Sequence, residues 1–397
     1  MPASISNVNT SIGFAQAATL LNSIVSQATG KAQITPTTTA GFVSLAQTGL
    51  LTGTDPLMNA ISTVLSKTIF SVRPYNARFK GLQRDAIQWG NHVRKIQFGS
   101  TGVENEDRYD LTDGYSVDQQ LVRKPDILQT NFYSYDSYQN SYTVFKDQLD
   151  ASFNSVDEFT RFISGITTEV SNKLEQYREN FARMTLCNLI ASTMNRGRVR
   201  HLLTEYATEF GIVDGNGDPD PTAVLPTYMD SFTKWLFAEL RVLSDRFTER
   251  SLLYQTNVTG HDIYRHTPKE MQRLYIYSPF LAQIDARVLS AVFNPSYLNL
   301  GAREEVSFWQ SIETPDTVKI TPNQMNPTNG EYALGEAVNA KVLGILMDYE
   351  AAGVTQVHEW SAPAPFNARG GYTTVWYHMD MRGWNDNTEK AIVLTLD

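Results

Sequence analysis

The sequence predicts an α+β fold, because helical and strand patterns occupy separate stretches of the chain. A long helical repeat runs through residues 156–194 and a second one through residues 227–248. Alternating strand patterns fill much of the last third. Separate runs of helices and strands are typical of α+β proteins, whereas a regular alternation of the two would indicate a parallel sheet.

The composition narrows the class of protein. The chain has 397 residues and a hydrophobic content of 42%, enough for two or more subdomains. Its net charge of −9 argues against a strongly basic nucleic-acid binder. Charged residues make up only 19%, while Tyr and Phe contribute 19 each, which suits a surface buried against copies of the same chain. A large enzyme has a similar composition, so this alternative stays open.

Cysteine content and hydropathy exclude further classes. Cys187 is the only cysteine, so neither an intrachain disulfide nor a cysteine zinc site can form. No stretch approaches the roughly 18 apolar residues of a membrane helix. The first residues also lack the pattern of a secretory signal. We therefore expect no membrane partner, and a location in the cytoplasm of the cell that makes the protein.

The N-terminal segment is poor in charge, because residues 1–72 contain only Lys31, Asp55 and Lys67. A helix is expected at residues 56–70. A weak helical pattern covers residues 12–28, and its apolar side would consist of Ile12, Ala15, Leu20, Ile24 and Val25. The N-terminal segment cannot build a core alone, so we expect either an arm lying on other subunits or a partly disordered tail.

Residues 91–146 predict an extended β-hairpin. Residues 93–98 alternate as a half-buried strand does, and residues 127–144 are rich in β-forming side chains. A long polar stretch separates the two. A loop of that length inside a compact domain would be unusual. We therefore expect the hairpin to project and to rest on a neighbouring subunit.

The strongest local pattern predicts a helix over residues 156–194, about 55–60 Å long. Gly197 is expected to follow its C-cap. The apolar side chains of this helix recur at spacings of three and four without a proline: Phe159, Phe162, Ile163, Ile166, Val170, Leu174, Tyr177, Phe181 and Met184. After a loop at residues 212–226, the helix at 227–248 begins, and strands are predicted at 342–347, 372–381 and 391–396.

Sequence motifs for catalysis or for binding a metal or a cofactor are weak. Asp214, Asn216 and Asp218 resemble the start of a calcium loop, but Pro219 and Leu225 stand where that motif needs Gly and Glu. A surface turn is therefore expected there. The histidines lack zinc-site spacing, and neither a nucleophile elbow nor a phosphate-binding loop occurs. We expect no catalytic residue, no cofactor and no metal.

The order of these parts resembles the tailed-bacteriophage major capsid proteins, whose fold is named for phage Hong Kong 97. The closest local similarity lies in residues 342–351 (VLGILMDYEA), 367–372 (NARGGY) and 387–393 (NTEKAIV). The resemblance implies an α+β phage capsid fold with an N-terminal arm, an extended β-hairpin loop, a long spine helix and a mixed α/β axial domain.

The resemblance also implies a division of the chain. The expected units are an N-terminal arm at 1–54, a peripheral-domain helix and connection at 55–90, the extended hairpin loop at 91–146, the peripheral domain with the spine helix at 147–226, the axial domain at 227–385 and a C-terminal strand at 386–397.

The function implied is that of a major capsid protein forming pentamers and hexamers in an icosahedral virion shell, assembled in the host cytoplasm. The partners implied are copies of itself, a scaffold protein, a portal and enclosed double-stranded DNA that is not bound tightly or sequence-specifically. An encapsulin-like nanocompartment shell and a soluble enzyme with an unrecognised site are the alternatives. Candidate subunit-interface residues are Arg94, Lys95, Glu104, Glu106, Asp107, Arg108, Asp110, Asp113, Arg196, Arg198 and Arg200.

Overall fold

The computed structural model confirms the α+β class. Residues 52–77, which contain the helix predicted at 56–70, lie outside the part of the chain that it describes. The described residues are 14–31, 33–51, 78–84, 93–99, 127–133, 136–148, 156–288 and 302–397, together with scattered positions between 108 and 124.

Two helices begin the described chain. Helix α1 (Phe14–Thr29) confirms the helix predicted at 12–28. Ile24 and Val25 are buried as predicted, whereas Ala15 is exposed, and Ala17, Ala18 and Leu21 are buried in addition. Ile12 and the side chain of Leu20 lie outside what the structure describes. Helix α2 (Thr39–Leu51) was not predicted, and it packs against α1.

The hairpin is formed by strands β1 (Val93–Phe98) and β2 (Ile127–Phe132), which pair antiparallel. This confirms the predicted hairpin strands. The following strand β3 (Asp136–Phe145) leaves the hairpin, because it pairs with residues 372–381 in a different sheet. The β-rich stretch predicted as one strand is therefore two strands in two sheets.

Helix α3 (Val156–Asn195) confirms the long helix, and its 40 residues span about 60 Å. Val170, Leu174 and Phe181 are buried as predicted, whereas Met184 is 53% exposed and does not belong to the core. Helices α1 and α2 both contact α3.

Helices and strands are mixed from residue 199 to residue 288, and the described elements after residue 288 are strands. The strands predicted at 342–347, 372–381 and 391–396 are confirmed, and the helix predicted at 227–248 begins three residues earlier. The elements are β4 (Val199–His201), α4 (Leu202–Glu209), α5 (Val224–Thr248), β5 (Gln272–Tyr277), α6 (Ser278–Val288), β6 (Ala302–Val306), β7 (Thr317–Ile320), β8 (Asn323–Met325), β9 (Tyr332–Leu334), β10 (Val338–Asp348), β11 (Ala352–Pro363), β12 (Tyr372–Asn385) and β13 (Ala391–Thr395).

A six-stranded sheet has the order β4-β13-β10-β5-β6, with β7 beside the first part of β10. Strand β13 runs antiparallel to β10 and parallel to β4. The last strand of the chain therefore lies inside the sheet. A second sheet has the antiparallel order β11-β12-β3, and β8 and β9 form a small hairpin.

Helix α3 lies between the two larger sheets. Ile345 and Met347 of β10 pack on its side, together with Tyr377 and Met379 of β12. Leu346 of β10 points to the opposite face of its sheet, where α4 and α5 cover it. One helix thus holds both sheets, because its apolar side chains fill the space between them.

Candidate functional site

At the base of the hairpin, which β1 and β2 form, the inward side of β1 is mainly polar. Along β1, Gln97 is buried and Lys95 is partly buried, whereas Arg94, Ile96 and Phe98 are exposed. Successive side chains of a strand point to opposite faces, so the predicted alternation is present. The face turned toward the rest of the subunit is the polar one.

Lys95 is the centre of an ion-pair cluster within its own subunit. Its Nζ lies 2.9 Å from Asp386 Oδ2 and 3.0 Å from Glu350 Oε2, and it also pairs with Glu389. Burial alone would lower the pKa of Lys95, but the carboxylates of Asp386 and Glu389 outweigh it and raise the pKa. The lysine therefore stays charged at the base of the hairpin.

Arg265 is the second cation of the cluster. It pairs with Glu389, donates to Thr388 Oγ1 at 3.0 Å, and also donates to Gln97 Oε1. The hairpin base is thereby joined to the segment that contains Arg265. Removing one partner from such a buried pair typically costs about 3–5 kcal/mol, because the other charge stays buried without compensation.

The two buried carboxylates of the cluster have opposite pKa shifts. Asp386 is fully buried, which raises its pKa, but Lys95 and a hydrogen bond from Thr388 bring the pKa below its usual value. Burial raises the pKa of Glu389 more than Lys95 and Arg265 lower it. Asp386 is thus the firmly ionised acceptor of the pair.

The carboxyl-terminal turn, residues 386–390, carries both carboxylates and is held rigidly. Asn387 Nδ2 donates to Ser192 Oγ of α3 at 2.9 Å. Lys390 is fully buried, and its ammonium donates to the carbonyl oxygens of Glu249 at 2.6 Å and Phe247 at 3.2 Å. These carbonyls end α5, so the lysine caps that helix. The turn therefore ties the hairpin to α3 and α5.

Part of the outward side of the hairpin is apolar, although Arg94 is exposed on the same side of β1. We define this apolar part as the outer face: Ile96, Phe98 and Ile127, which are 48%, 65% and 54% exposed. Phe98 and Ile127 are directly opposite each other in the β1–β2 register. Contiguous exposed apolar side chains mark interaction surfaces in soluble proteins.

A groove of about 580 Å³ lies where the hairpin base meets α3 and β12. Apolar and amide side chains line it, and none of the described lining residues is charged. They are Asn131, Phe132, Tyr133, Phe181, Met184, Thr185, Asn188, Ile320, Asn323, Tyr332, Gly383, Trp384 and Asn385.

The predicted arginine cluster directly follows the end of α3. Gly197 has a φ of +69°, and its N–H donates to Met194 O at 2.8 Å while Arg198 N–H donates to Thr193 O at 3.2 Å. These two bonds form a Schellman motif, which confirms Gly197 as the residue after the C-cap. The chain then turns directly into β4.

All three arginines of that cluster have partners within the subunit. Arg196 donates to the Met325 carbonyl, and Arg198 Nη1 donates to the Tyr254 carbonyl at 2.7 Å. Arg200 donates through Nε to Glu205 at 2.6 Å and lies 3.1 Å from Glu239. Their contact with a neighbouring subunit stays a prediction.

The charged residues predicted as subunit contacts of the hairpin are only partly described. Arg94, Arg108 and Asp113 are exposed. The remaining four candidates lie outside the described residues: Glu104, Glu106, Asp107 and Asp110. The sequence analysis missed Arg265, Asp386 and Glu389, although the unbroken polar run at 385–390 between two strands was a usable signal.

In the described part of the chain, no cluster of three or more His, Cys, Asp or Glu could hold a metal ion. Asp214 Oδ1 accepts the backbone N–H of Asn216 at 2.8 Å and of Asp218 at 3.1 Å, which is a turn rather than a cation cage. Burial raises the pKa of Cys187 to about 12, so its thiol is unreactive.

Membrane insertion finds no support in the described helices, none of which is long and apolar enough to span a bilayer.

The fold is similar to that of chains in solved phage structures. A chain in the capsid structure of Staphylococcus phage Andhra matches with a TM-score of 0.52 and 9% identity, covering 82% of this chain and 86% of that chain. A chain in the structure of head fiber and inner core protein gp22 of native bacteriophage P68 matches with a TM-score of 0.50 and 10% identity, covering 81% and 85%. At such identities the likeness shows the fold.

A search of curated proteins gave no match. The sequence does match a family of phage proteins over residues 21–395, which is nearly its whole length. This match, the shared fold and the predicted order of arm, hairpin and long helix agree with a Hong Kong 97 type capsid fold. The chain belongs to the Phi29-like phage major capsid protein family.

Proposed function

We propose that this capsid shell protein assembles as pentamers and hexamers into a closed icosahedral shell around double-stranded DNA, and that its hairpin makes a head-to-tail contact between neighbouring copies. The proposal rests mainly on one observation. The chain carries the exposed apolar outer face, which acts as a knob, and an uncharged groove. The knob and the groove cannot meet within one copy.

The separation follows from the strand register. The groove is lined by Asn131 and Phe132 at one end of the β1–β2 ladder, whereas Phe98 and Ile127 lie at the other end. Five steps of a strand cover about 17 Å. Because the ladder is continuous, the knob of one copy cannot reach its own groove, but it can reach that of a neighbour.

A contact between two different surfaces has a consequence for assembly. Head-to-tail contacts generate rings where the rotation between copies closes, and a chain that uses them can form both fivefold and sixfold rings. Apolar burial is the main favourable term, at roughly 25 cal/mol per Å² removed from water. The uncharged lining means that no ionised group has to be desolvated when the groove is filled.

Two substitutions test this contact. Phe98→Ser removes the largest side chain of the knob, and Met184→Glu places a carboxylate in the groove. Each is expected to abolish particle formation, measured by sedimentation and negative-stain microscopy, while the circular dichroism of the subunit is unchanged. Ile312→Ser is the matched control, since Ile312 is exposed and belongs to neither surface.

A charge pair distinguishes the proposed contact from a general effect on solubility. Phe98→Lys alone is expected to prevent assembly, whereas the double variant with Met184→Glu should recover it in part, because each contact then joins a lysine to a glutamate. Assembly of Phe98→Ser at the wild-type concentration would contradict the knob-and-groove contact. It would leave the family membership and the capsid role intact.

Exposed charges at the hairpin are proposed to add weaker contacts. Arg94 shares the outward side of β1 with Ile96 and Phe98, and Arg108 and Asp113 are exposed. Exposed ion pairs contribute about 0–1 kcal/mol each, so they set salt sensitivity more than stability. For Lys95, as for Arg196 and Arg200, the in-chain partners support a role inside the subunit.

The remaining proposals concern partners. The role is structural rather than catalytic, and a scaffold protein and a portal are expected partners during assembly in the host cytoplasm. Each subunit has a net charge of −9, so the shell is expected to enclose DNA without binding it tightly. Tight binding would need many phosphate contacts, because each one adds a salt-dependent increment of affinity. Empty particles should bind DNA weakly at near-physiological salt. The phage family match disfavours the encapsulin-like alternative.

A further inference from the structure

The buried charges around the carboxyl-terminal turn do not match one to one. Two buried carboxylates, Asp386 and Glu389, lie at the turn. Lys390 of the turn itself binds backbone carbonyls. Of three further cations near the turn, Lys95 and Arg265 pair directly with these carboxylates, while Arg198 does not. Besides Lys390, the docked hairpin therefore leaves one buried cation without a carboxylate.

Arg198 is that cation. Its Nη1 donates to the Tyr254 carbonyl, but Nε and Nη2 are buried without an acceptor, and no carboxylate among the described residues lies within 4.0 Å. Burial, followed by the neighbouring Arg196, lowers the pKa of Arg198 to about 10, while Asp386 acts in the opposite direction. A buried charge in this condition is unfavourable unless another state of the molecule uses it.

The backbone contacts place Arg198 beside the same turn. Tyr254 O, which accepts from Arg198, also accepts from Ala391 N at 2.8 Å. Thr256 N donates to Asn387 O at 2.9 Å, so the segment that Arg198 contacts runs along the turn. The Arg198 side chain therefore lies next to the segment that carries Asp386.

We propose that Arg198 is the alternative partner of Asp386, which makes the hairpin base a two-state latch. In the docked state Lys95 holds Asp386. In the released state Lys95 leaves with β1, and Arg198 takes its place. The charges support this exchange, because release leaves two arginines, Arg198 and Arg265, facing the two carboxylates Asp386 and Glu389.

The latch goes beyond the proposed assembly contact, because it is a property of the single subunit. Its physical effect is to lower the cost of releasing the hairpin, since Asp386 is never left buried without a cation. Packed interfaces with two discrete arrangements of this kind act as switches, and their populations follow the difference in contacts between the states. The ion pair of Arg198 with Asp386 belongs to the released state only.

The test is amide hydrogen exchange of β1 in the full chain, with β10 as internal reference for global unfolding. Arg198→Met removes the alternative partner, so exchange of β1 is expected to slow about tenfold relative to β10, a factor equivalent to about 1.4 kcal/mol. Arg200→Met is the matched control, because Arg200 has its own carboxylates, Glu205 and Glu239, and should leave this ratio unchanged.

A double-mutant cycle gives an independent test. Lys95→Met should lower the unfolding midpoint more in the Arg198→Met background than in the wild type, because Arg198 can no longer compensate Asp386. Additive effects, or an exchange ratio of β1 in Arg198→Met that is unchanged or faster, would show that Arg198 serves only to bind Tyr254. The latch predicts that the docked state does not need this guanidinium. An Arg198→Met chain that fails to fold would therefore also overturn it.

Discussion

Replacing Asp386 with asparagine is expected to destabilise the subunit by about 3 kcal/mol. The buried carboxylate accepts from Lys95 Nζ at 2.9 Å, from the Thr388 N–H at 2.9 Å and from Thr388 Oγ1 at 2.6 Å. The amide keeps the shape and one acceptor oxygen but loses the charge.

The magnitude follows from what the substitution leaves behind. Loss of one partner from a buried ion pair costs about 3–5 kcal/mol. Lys95 still has Glu389 and the half-exposed Glu350, so the lower end of that range applies. Relief from burying the carboxylate offsets part of the loss. The expected value is therefore near 3 kcal/mol rather than 5.

The assay is urea unfolding of the unassembled subunit, followed by far-UV circular dichroism. Asp245→Asn is the control, because Asp245 pairs with Lys269 on the surface, where a pair contributes at most about 1 kcal/mol. If Asp386→Asn and Asp245→Asn unfold at the same urea concentration as the wild type, the cluster does not stabilise the subunit and the argument from burial fails.

Acid should act on the same group. The pKa of Asp386 lies below its unfolded value near 4, so its contribution is fully present above that pH and is lost as pH falls further. Glu389 has a raised pKa and protonates first, which removes a charge that is costly to bury and does not weaken the subunit. Acid loosening of the hairpin base should therefore begin below pH 4, and Asp386→Asn should be less sensitive to it.

Two further substitutions probe the ends of helices. Lys390→Met should cost about 2 kcal/mol, since hydrogen bonds from a charged group contribute about 1.5–3 kcal/mol and the carbonyls of Phe247 and Glu249 lose theirs; a thermal midpoint equal to that of the wild type would contradict the capping role. Gly197→Ala should cost about 1–2 kcal/mol in urea unfolding, because φ at this position is +69° and a side chain is strained there. A neutral effect would mean that α3 ends differently.

Elements with long, regular patterns were predictable from the sequence. The helix α3 and the strand β1 were predicted with bounds within about one residue, because periodicity over many residues is set by local geometry. Met184 was misplaced for a physical reason. Two sheets cover α3, so its buried surface is wider than one stripe, and the apolar spacing of Met184 does not specify which side is covered.

Features that depend on distant partners could not be predicted. β3 looked like a continuation of the hairpin, and only its partner β12, more than 200 residues away, takes it into another sheet. The ion pair of Lys95 within its own subunit could not be predicted, because no local pattern reveals Asp386 nearly 300 residues later. The one-sided pattern of helix α2 is weak, so it does not give the clear signal of a surface helix.

The charged cluster and the apolar outer face are two consequences of one register. In a strand, a shift of one residue exchanges the faces, so a slipped β1 would bury Ile96 and Phe98 and expose Lys95 and Gln97. Apolar burial alone would favour that slip. The ion pairs of Lys95 with the carboxyl-terminal turn select the opposite register, because they require a cation at one position. The subunit thereby keeps its apolar side chains exposed, where a neighbouring copy can bury them.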